Sequence, residues 1–313
     1  MKKLLLRGLL ALLLTFLAVL VYVEGRVYLH KGDIGTETNF KDKSALLKSP
    51  PAGLKAPITL KVVTFNIQDT WVVGQDRPER MRAIGTKLSL LDPDLVGFQE
   101  AFIEEDMVIM KEELKETRLK HWQYYPSGAV GSGVYIASVW PIKEVFFHQY
   151  TVAGPWWKIW EGDGAAGKGV GLARIELPEG QGYIDLFNTH AQAGYGNLSY
   201  EDPVRVTQLT ELADFVNGAR LPTCPTLLTG DFNSHPDYKS YKTMVERAKL
   251  ERLMTTEDSR IDHIFAVKDP AYKYEVLNTE RIYEKWSIRG KELELSDHSG
   301  WISTIRITPA PRP

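Results

Sequence analysis

Six short apolar runs in this chain each stop on a carboxylate, an amide or an imidazole, and this pattern limits its fold more than any other feature. They are TFNI with Asn66, GFQE with Glu100, NTHAQA with His190, LTGDFNS with Asp231 and Asn233, RIDHIF with Asp262, and LSDHSG with Asp297 and His298. Short apolar runs bounded by turn residues read as buried strands. A pleated core does not select ionisable side chains, because burying them unpaired is costly. Each residue alone has a plain structural explanation. Asn66 reads as a turn residue, Asp231 as a strand-end Asx turn, and His190 as a hydrogen-bonded structural histidine. His263 alternates with Asp262 along one run and is read as structural.

The rest of the chain places these runs in a frame. Strand composition covers residues 58–67, 95–100, 133–139, 142–150, 170–177, 183–190, 226–231, 261–267 and 301–307. Helical spacing covers 79–91, 104–115, 202–218 and 238–249, with Pro203 suited to a first helical turn. Several strand pairs are joined by short turns, which favours antiparallel or mixed sheets over a doubly wound parallel sheet. Hydrophobic residues are 43% and charged residues 25% of the 313, so a disordered or polytopic membrane chain is excluded. The formal net charge of −2 argues against a basic nucleic-acid arm, while a local basic groove stays open. The single cysteine, Cys224, leaves no intramolecular disulfide and no cysteine zinc site.

The N-terminus is a separate object. Lys2, Lys3 and Arg7 precede sixteen uncharged residues, 8–23. Residues 1–23 are expected to be a signal-anchor or signal peptide, with the basic flank in the cytoplasm and the rest exported. Counting from Leu4 and letting Arg7 reach the interface gives the roughly 20 residues that a bilayer span takes. Val23-Glu24-Gly25 is a poor cleavage site, so a membrane anchor is preferred to a cleaved, secreted form. The domain that follows would then be periplasmic or extracellular. Residues 24–57, with Pro50-Pro51 and Pro57, read as a linker or arm, 58–307 as the domain, and 308–313 as a disordered tail.

The ordered series TFNI, GFQE, NTHAQA, LTGDFNS, RIDHIF and LSDHSG resembles the endonuclease/exonuclease/phosphatase superfamily, the pancreatic-deoxyribonuclease-like fold. The motifs are short, but six in the right order are specific. The resemblance implies an α/β (α+β) fold, a four-layer α/β/β/α sandwich of two mixed β-sheets. It also implies a metal-dependent phosphodiesterase. Glu100 would be the metal ligand, with Asn66 and Asp297 assisting. Asp262 would pair with His298 and fix its tautomer, and His298 would be the general base. Asp231 would orient or help deprotonate the water. Asn233 and His190 would donate to phosphoryl oxygens. Phosphodiester hydrolysis needs charge neutralisation, an in-line water and a proton for the leaving group. Oxygen donors suit Mg²⁺, and Mn²⁺ accepts the same ligands.

Three details resemble the neutral sphingomyelinase branch. They are FQEAF at 98–102, the His190-Ala191-Gln192-Ala193 run, and the glycine-rich stretch 162–171 around Lys168 and Gly169. A lipid substrate, sphingomyelin or another phospholipid, fits a membrane-tethered enzyme working as a monomer. Trp156, Trp157, Trp160 and Trp286 would serve at a bilayer interface, or simply as core aromatics. The stretch around Arg289-Gly290 reads as a hairpin turn. An anchored or secreted nuclease is the alternative, with nucleic acid as partner and the same catalytic residues. The inositol-polyphosphate phosphatase branch fits less well, because LLTGDFNS and SRIDHIF lack its tryptophan and arginine marks. A non-catalytic binding protein would show gaps in the constellation, and there are none.

Overall fold

The computed structural model describes residues 2–31, 35–36, 40–71, 74–128, 130–154, 166–194, 202–283, 285–288 and 290–311. The chain starts with helix α1 (Lys2–Lys31), strand β1 (Gly35–Thr36) and short helices α2 (Phe40–Lys43) and α3 (Ala45–Lys48). Next come β2 (Ile58–Asp69), α4 (Arg77–Leu91), β3 (Leu95–Ala101) and α5 (Glu104–Glu113). Strands β4 (His121–Tyr124), β5 (Tyr135–Ser138), β6 (Ile142–Gln149), β7 (Gly169–Glu176) and β8 (Tyr183–His190) follow. Then come α6 (Pro203–Ala219), β9 (Thr226–Asp231), α7 (Lys239–Arg247), β10 (Leu250–Arg252) and β11 (Asp262–Val267). The last elements are β12 (Tyr272–Ile282), β13 (Lys285–Ile288), β14 (Lys291–Glu294) and β15 (Gly300–Pro309).

These strands form two large mixed sheets. One has seven strands in the order β1-β6-β7-β8-β9-β11-β10, the other six in the order β12-β15-β2-β3-β5-β4. Two pairs joined through a helix, β2 with β3 through α4 and β8 with β9 through α6, are parallel. Their neighbours in the sheets are antiparallel, such as β15 with β2 and β11 with β9. One core lies between the sheets and holds Leu60, Val62, Leu95, Ile136, Leu186, Leu227, Ile264 and Ile305. A second lies under α6 and α7, with Phe187, Leu209, Leu212, Val216 and Phe265. A third lies under α4 and α5, with Phe65, Phe98, Met81, Leu88, Met107 and Met110. Helix, sheet, sheet and helix therefore form the expected four layers. Fully burying one such side chain contributes about 1.5–3 kcal/mol, so these three clusters hold the sandwich shut.

The parallel pairs set up the site, because they bring carboxyl ends of strands together. Asn66 and Glu100 end one pair, and His190 and Asp231 end the other, in register as His190 opposite Asp231. The two sheets touch beneath this end through polar groups. Gln99 Nε2 donates to Asn188 Oδ1 at 2.7 Å, and Asn188 Nδ2 donates to Phe98 O at 2.8 Å. Gly97 permits the approach: a Cβ there would lie 2.2 Å from Thr229 Oγ1 and 2.7 Å from Asn188 Oδ1. The GFQE run thus needs its glycine for sheet contact rather than for a turn.

Several boundaries differ from the sequence expectation. The arm at 24–57 packs in part against the domain. Ser44 is fully buried and its Oγ donates to Glu144 Oε2 at 2.8 Å, and Leu54 joins the core between the sheets. The tail expected to be disordered from residue 308 is ordered at its start, since β15 runs through Pro309, paired with Tyr272. Strands β4, β10 and β12 were not expected. β12 is a sheet edge in which Tyr272, Tyr274 and Val276 alternate inward over the first half only; past the bulge between Val276 and Asn278 most residues are exposed. A hairpin does form between β13 and β14, pairing Ile288 with Lys291. Trp156, Trp157 and Trp160 lie outside the described residues, as does the side chain of Trp286. Among the described residues, no helix is long and apolar enough to cross a membrane, so the transmembrane expectation has no such helix behind it. In α1 the side chains Leu5, Leu9, Leu12, Leu13 and Phe16 are exposed.

Candidate active site

The site is built on strained ends of strands. Gln68, Glu100 and Asn233 all have left-handed backbones, with φ of 48°, 54° and 48°. Non-glycine residues seldom adopt this conformation, and they do so where the surroundings over-determine them. The register of β2 against β3 shifts between Asn66 and Asp69, a bulge beside the site.

Carboxylates and imidazoles from both sheets meet there in two overlapping triads. Glu100, His190 and Asp231 form one, and Asp231, Asp262 and His298 the other, with the ligand atoms of each within 4.8 Å of one another. Asn66 Nδ2 donates to Glu100 Oε1 at 3.0 Å and to Asp231 Oδ2 at 3.0 Å. Its Oδ1 accepts from Gln68 N at 3.1 Å. Asn66 therefore braces the two carboxylates through its nitrogen, whereas a metal ligand would present the oxygen. Asp297 is exposed and belongs to neither triad. Asn233 N donates to Asp231 Oδ1 at 2.9 Å, the Asx arrangement that holds the GDFN turn.

The pairing of Asp262 with His298 is present. His298 Nδ1 lies 3.0 Å from Asp262 Oδ2, and its Nε2 lies 3.8 Å from Asp231 Oδ2. Burial alone would lower the pKa of His298, but Asp262 and Asp231 outweigh it and push it up to about 11. Burial pushes Asp231 up to about 6 and raises Glu100 as well. His190 goes the other way. Burial, then the charges of Lys168 and His298, hold it well below its ordinary value. Lys168 Nζ lies 3.1 Å from His190 Nε2. An ammonium has only hydrogens to offer, so His190 accepts there and carries its proton on Nδ1. Lys168 is thus the cation in front of the carboxylates, and His190 orients it. His190 was expected to be the donor, and in this geometry Lys168 takes that position.

The donor set fits a hard divalent cation. Two carboxylates with raised proton affinity, Asp231 buried and Glu100 partly open, stand together beside an imidazole, and cysteine is absent from the cluster. His263 behaves as expected of a structural residue. It is buried against Phe232, Tyr241 and Phe265, and burial pushes it down to about 3. The sequence reading missed the Gln99–Asn188 contact and Gln208, which reaches the backbone beyond His190. Their signal was a polar residue on an otherwise apolar strand or helix face.

The fold and the order of these residues match one family. The profile of the Endonuclease/Exonuclease/phosphatase family covers residues 63–298, and the chain belongs to that family. Among its relatives, sphingomyelin phosphodiesterase 2 of Rattus norvegicus is 33% identical over 181 residues, 57% of this chain and 42% of that protein. An inositol phosphosphingolipids phospholipase C of Schizosaccharomyces pombe is 33% identical over 187 residues, 58% of this chain and 42% of that protein. The matches thus span less than half the length of these two curated relatives. A crystal structure of a Staphylococcus aureus beta toxin mutant with bound magnesium ions aligns with a TM-score of 0.61 at 19% identity. It covers 79% of this chain and 99% of that one, and it shows the shared fold.

Proposed function

We propose that the chain is a divalent-cation-dependent phosphodiesterase that cleaves the headgroup phosphodiester of sphingomyelin or a related sphingolipid. The observation that carries this reading is the pair of overlapping triads joined at Asp231. The lipid class is supported by the relatives, which are named for sphingolipids. The nuclease alternative draws no comparable support from them.

Each residue has a role in this reading. Glu100 and Asp231 would hold Mg²⁺ or Mn²⁺, with Asn66 bridging the two carboxylates through its amide nitrogen. The cation, when bound, supplies neutralisation of phosphoryl oxygens and offsets the negative charge around the site. Asp262 holds the His298 ring with Nε2 towards Asp231. His298 Nε2, in its deprotonated form, would take a proton from water as general base. Asp231 orients that water. Lys168, backed by His190, and the side-chain nitrogen of Asn233 donate to phosphoryl oxygens, where charge grows in the transition state. One chain carries the full constellation, which supports a monomer as the working unit. Asp297 would add negative charge at the rim.

We also place the enzyme at a membrane, with the catalytic domain exported to the periplasmic or extracellular side. The exposed apolar side chains of α1 support attachment, since water is a poor solvent for such a surface. Carbonate-resistant sedimentation of the full chain with membranes, lost in a fragment that lacks only residues 1–31, is the expected result. The activity test is phosphocholine release from sphingomyelin liposomes, with Mg²⁺ and with EDTA. Release that EDTA abolishes is expected. Absence of release from a folded protein, together with cleavage of DNA, would overturn the lipid assignment.

A further inference from the structure

The peptide unit joining Ala191 to Gln192 lies just past the end of β8 and is engaged on both sides. Its carbonyl, Ala191 O, accepts from Lys168 Nζ at 2.8 Å and from Asn233 Nδ2 at 3.1 Å. Its N–H, on Gln192, donates to Gln208 Oε1 at 2.7 Å. A peptide unit is planar, so fixing the direction of its N–H fixes the direction of its carbonyl. The two side chains that this carbonyl holds are the two phosphoryl donors of the reading above.

Gln208 is well placed to fix that plane. It is fully buried on α6, and its Nε2 donates to Val152 O at 2.9 Å, so the amide is held at both ends and cannot turn. Gln192 adds a second tie, accepting from Gly154 N at 3.1 Å through Oε1. Ala191 N donates to Asp231 O at 3.0 Å, which couples the same stretch to the strand that carries the shared carboxylate. A glutamine that only satisfied the core would need neither this target nor this direction.

We propose that Gln208 is a positioning residue of the active site. It sets the Ala191–Gln192 peptide plane and, through that plane, the places of the Lys168 and Asn233 donors. This rests on the phosphodiesterase reading given above. Removing the acceptor should misplace both donors without touching the substrate, and a misplacement of about 1 Å costs on the order of 100-fold in rate.

The test uses the full chain with Gln208→Met and Gln208→Glu, each checked for folding by thermal unfolding. Gln208→Met is expected to lower kcat by about 10- to 100-fold with KM within about twofold, since the donors act on the transition state. Gln208→Glu keeps an acceptor for Gln192 N, and at this buried position its carboxyl is protonated and can still donate to Val152 O, so it is expected to stay within about threefold of wild type. Adding Gln208→Met to Lys168→Met should cost clearly less than Gln208→Met costs in the wild type, because one of the two donors that Gln208 places is already gone and only Asn233 remains to be misplaced. The His190 ring nitrogen resonances, read by NMR, should shift in Gln208→Met and remain in place in Gln208→Glu.

A Gln208→Met protein with unchanged kcat and unchanged His190 resonances would overturn the proposal. So would a full multiplicative loss in the Lys168→Met background. If Gln208→Met does not fold, a loss of about 100-fold in a folded Gln208→Glu would overturn it instead, since the acceptor is still there. If wild type cleaves no phosphodiester, the functional reading fails, and the His190 resonances alone decide the positioning role.

Discussion

Two histidines flank Asp231 and differ in charge. His190 closes β8 inside the seven-stranded sheet and is almost fully buried, with Lys168 against its Nε2. His298 lies just before β15 of the other sheet, largely buried with a small part open to solvent, between Asp262 and Asp231. Burial and a neighbouring cation keep the first ring neutral. Two carboxylates overcome burial and keep the second ring protonated. One residue type thus fills two roles because each sheet supplies a different neighbour. In the proposed mechanism the neutral ring would orient a donor, and the charged ring would be the one that exchanges protons.

The sharpest way to break the comparison is to remove the proton-exchanging ring. His298→Ala should lower kcat for phosphocholine release by about 10²–10⁴-fold in a folded protein. Wild-type turnover would remove His298 from the mechanism. Next in size is Glu100→Gln, which should lower activity at fixed Mg²⁺ by about 10- to 100-fold, with partial recovery at higher Mg²⁺. A titration of rate against Mg²⁺ reads this directly, and an unshifted curve would place the cation elsewhere.

Smaller effects test the electrostatics. Lys168→Met removes a charge that lowers the pKa of His190, so that pKa should rise towards its ordinary value of 6.5 in an NMR titration. No movement would mean that burial alone keeps the ring neutral. The two rings should also act oppositely on stability. The folded pKa of His298, about 11, lies above 6.5, so its stabilising contribution is whole below pH 6.5 and is lost as pH rises through 11. The folded pKa of His190 lies below 6.5, so its contribution is present above pH 6.5 and is lost as pH falls. Denaturant unfolding in EDTA should therefore show Asp262→Asn flattening the alkaline limb and His190→Gln the acid limb. The smallest effect is expected at Cys224→Ser. The thiol is buried beside Thr223, away from the triads, so kcat should not change and stability should fall by about 1 kcal/mol.

Much of the scaffold was legible in the sequence because buried strands and amphipathic helices carry their own periodicity. The run at Tyr183–His190 and that at Thr226–Asp231 have the expected limits in the structure. β12 was only half legible: Tyr272, Tyr274 and Val276 alternate with Lys273 and Glu275, but the pattern breaks at the bulge after Val276, and the rest of this edge strand is held by backbone partners along β15. The start of the 308–313 tail and part of the arm gained order from partners far away in sequence, Tyr272 and Glu144. No local pattern announces such contacts.

The site divides in the same way. Which residues would gather was written in the chain, since polar groups closing buried strands have few reasons to be there other than one another. Their order along the sequence carried the family. The protonation of His190 and His298, the amide nitrogen that Asn66 turns to Glu100, the separation of Asp297 from the triads and the reach of Gln208 to Gln192 were decided only by tertiary structure. The physical reason is that residue identity and periodicity are local. Burial, field and hydrogen-bond direction depend on what the second sheet and its helices bring within a few ångströms.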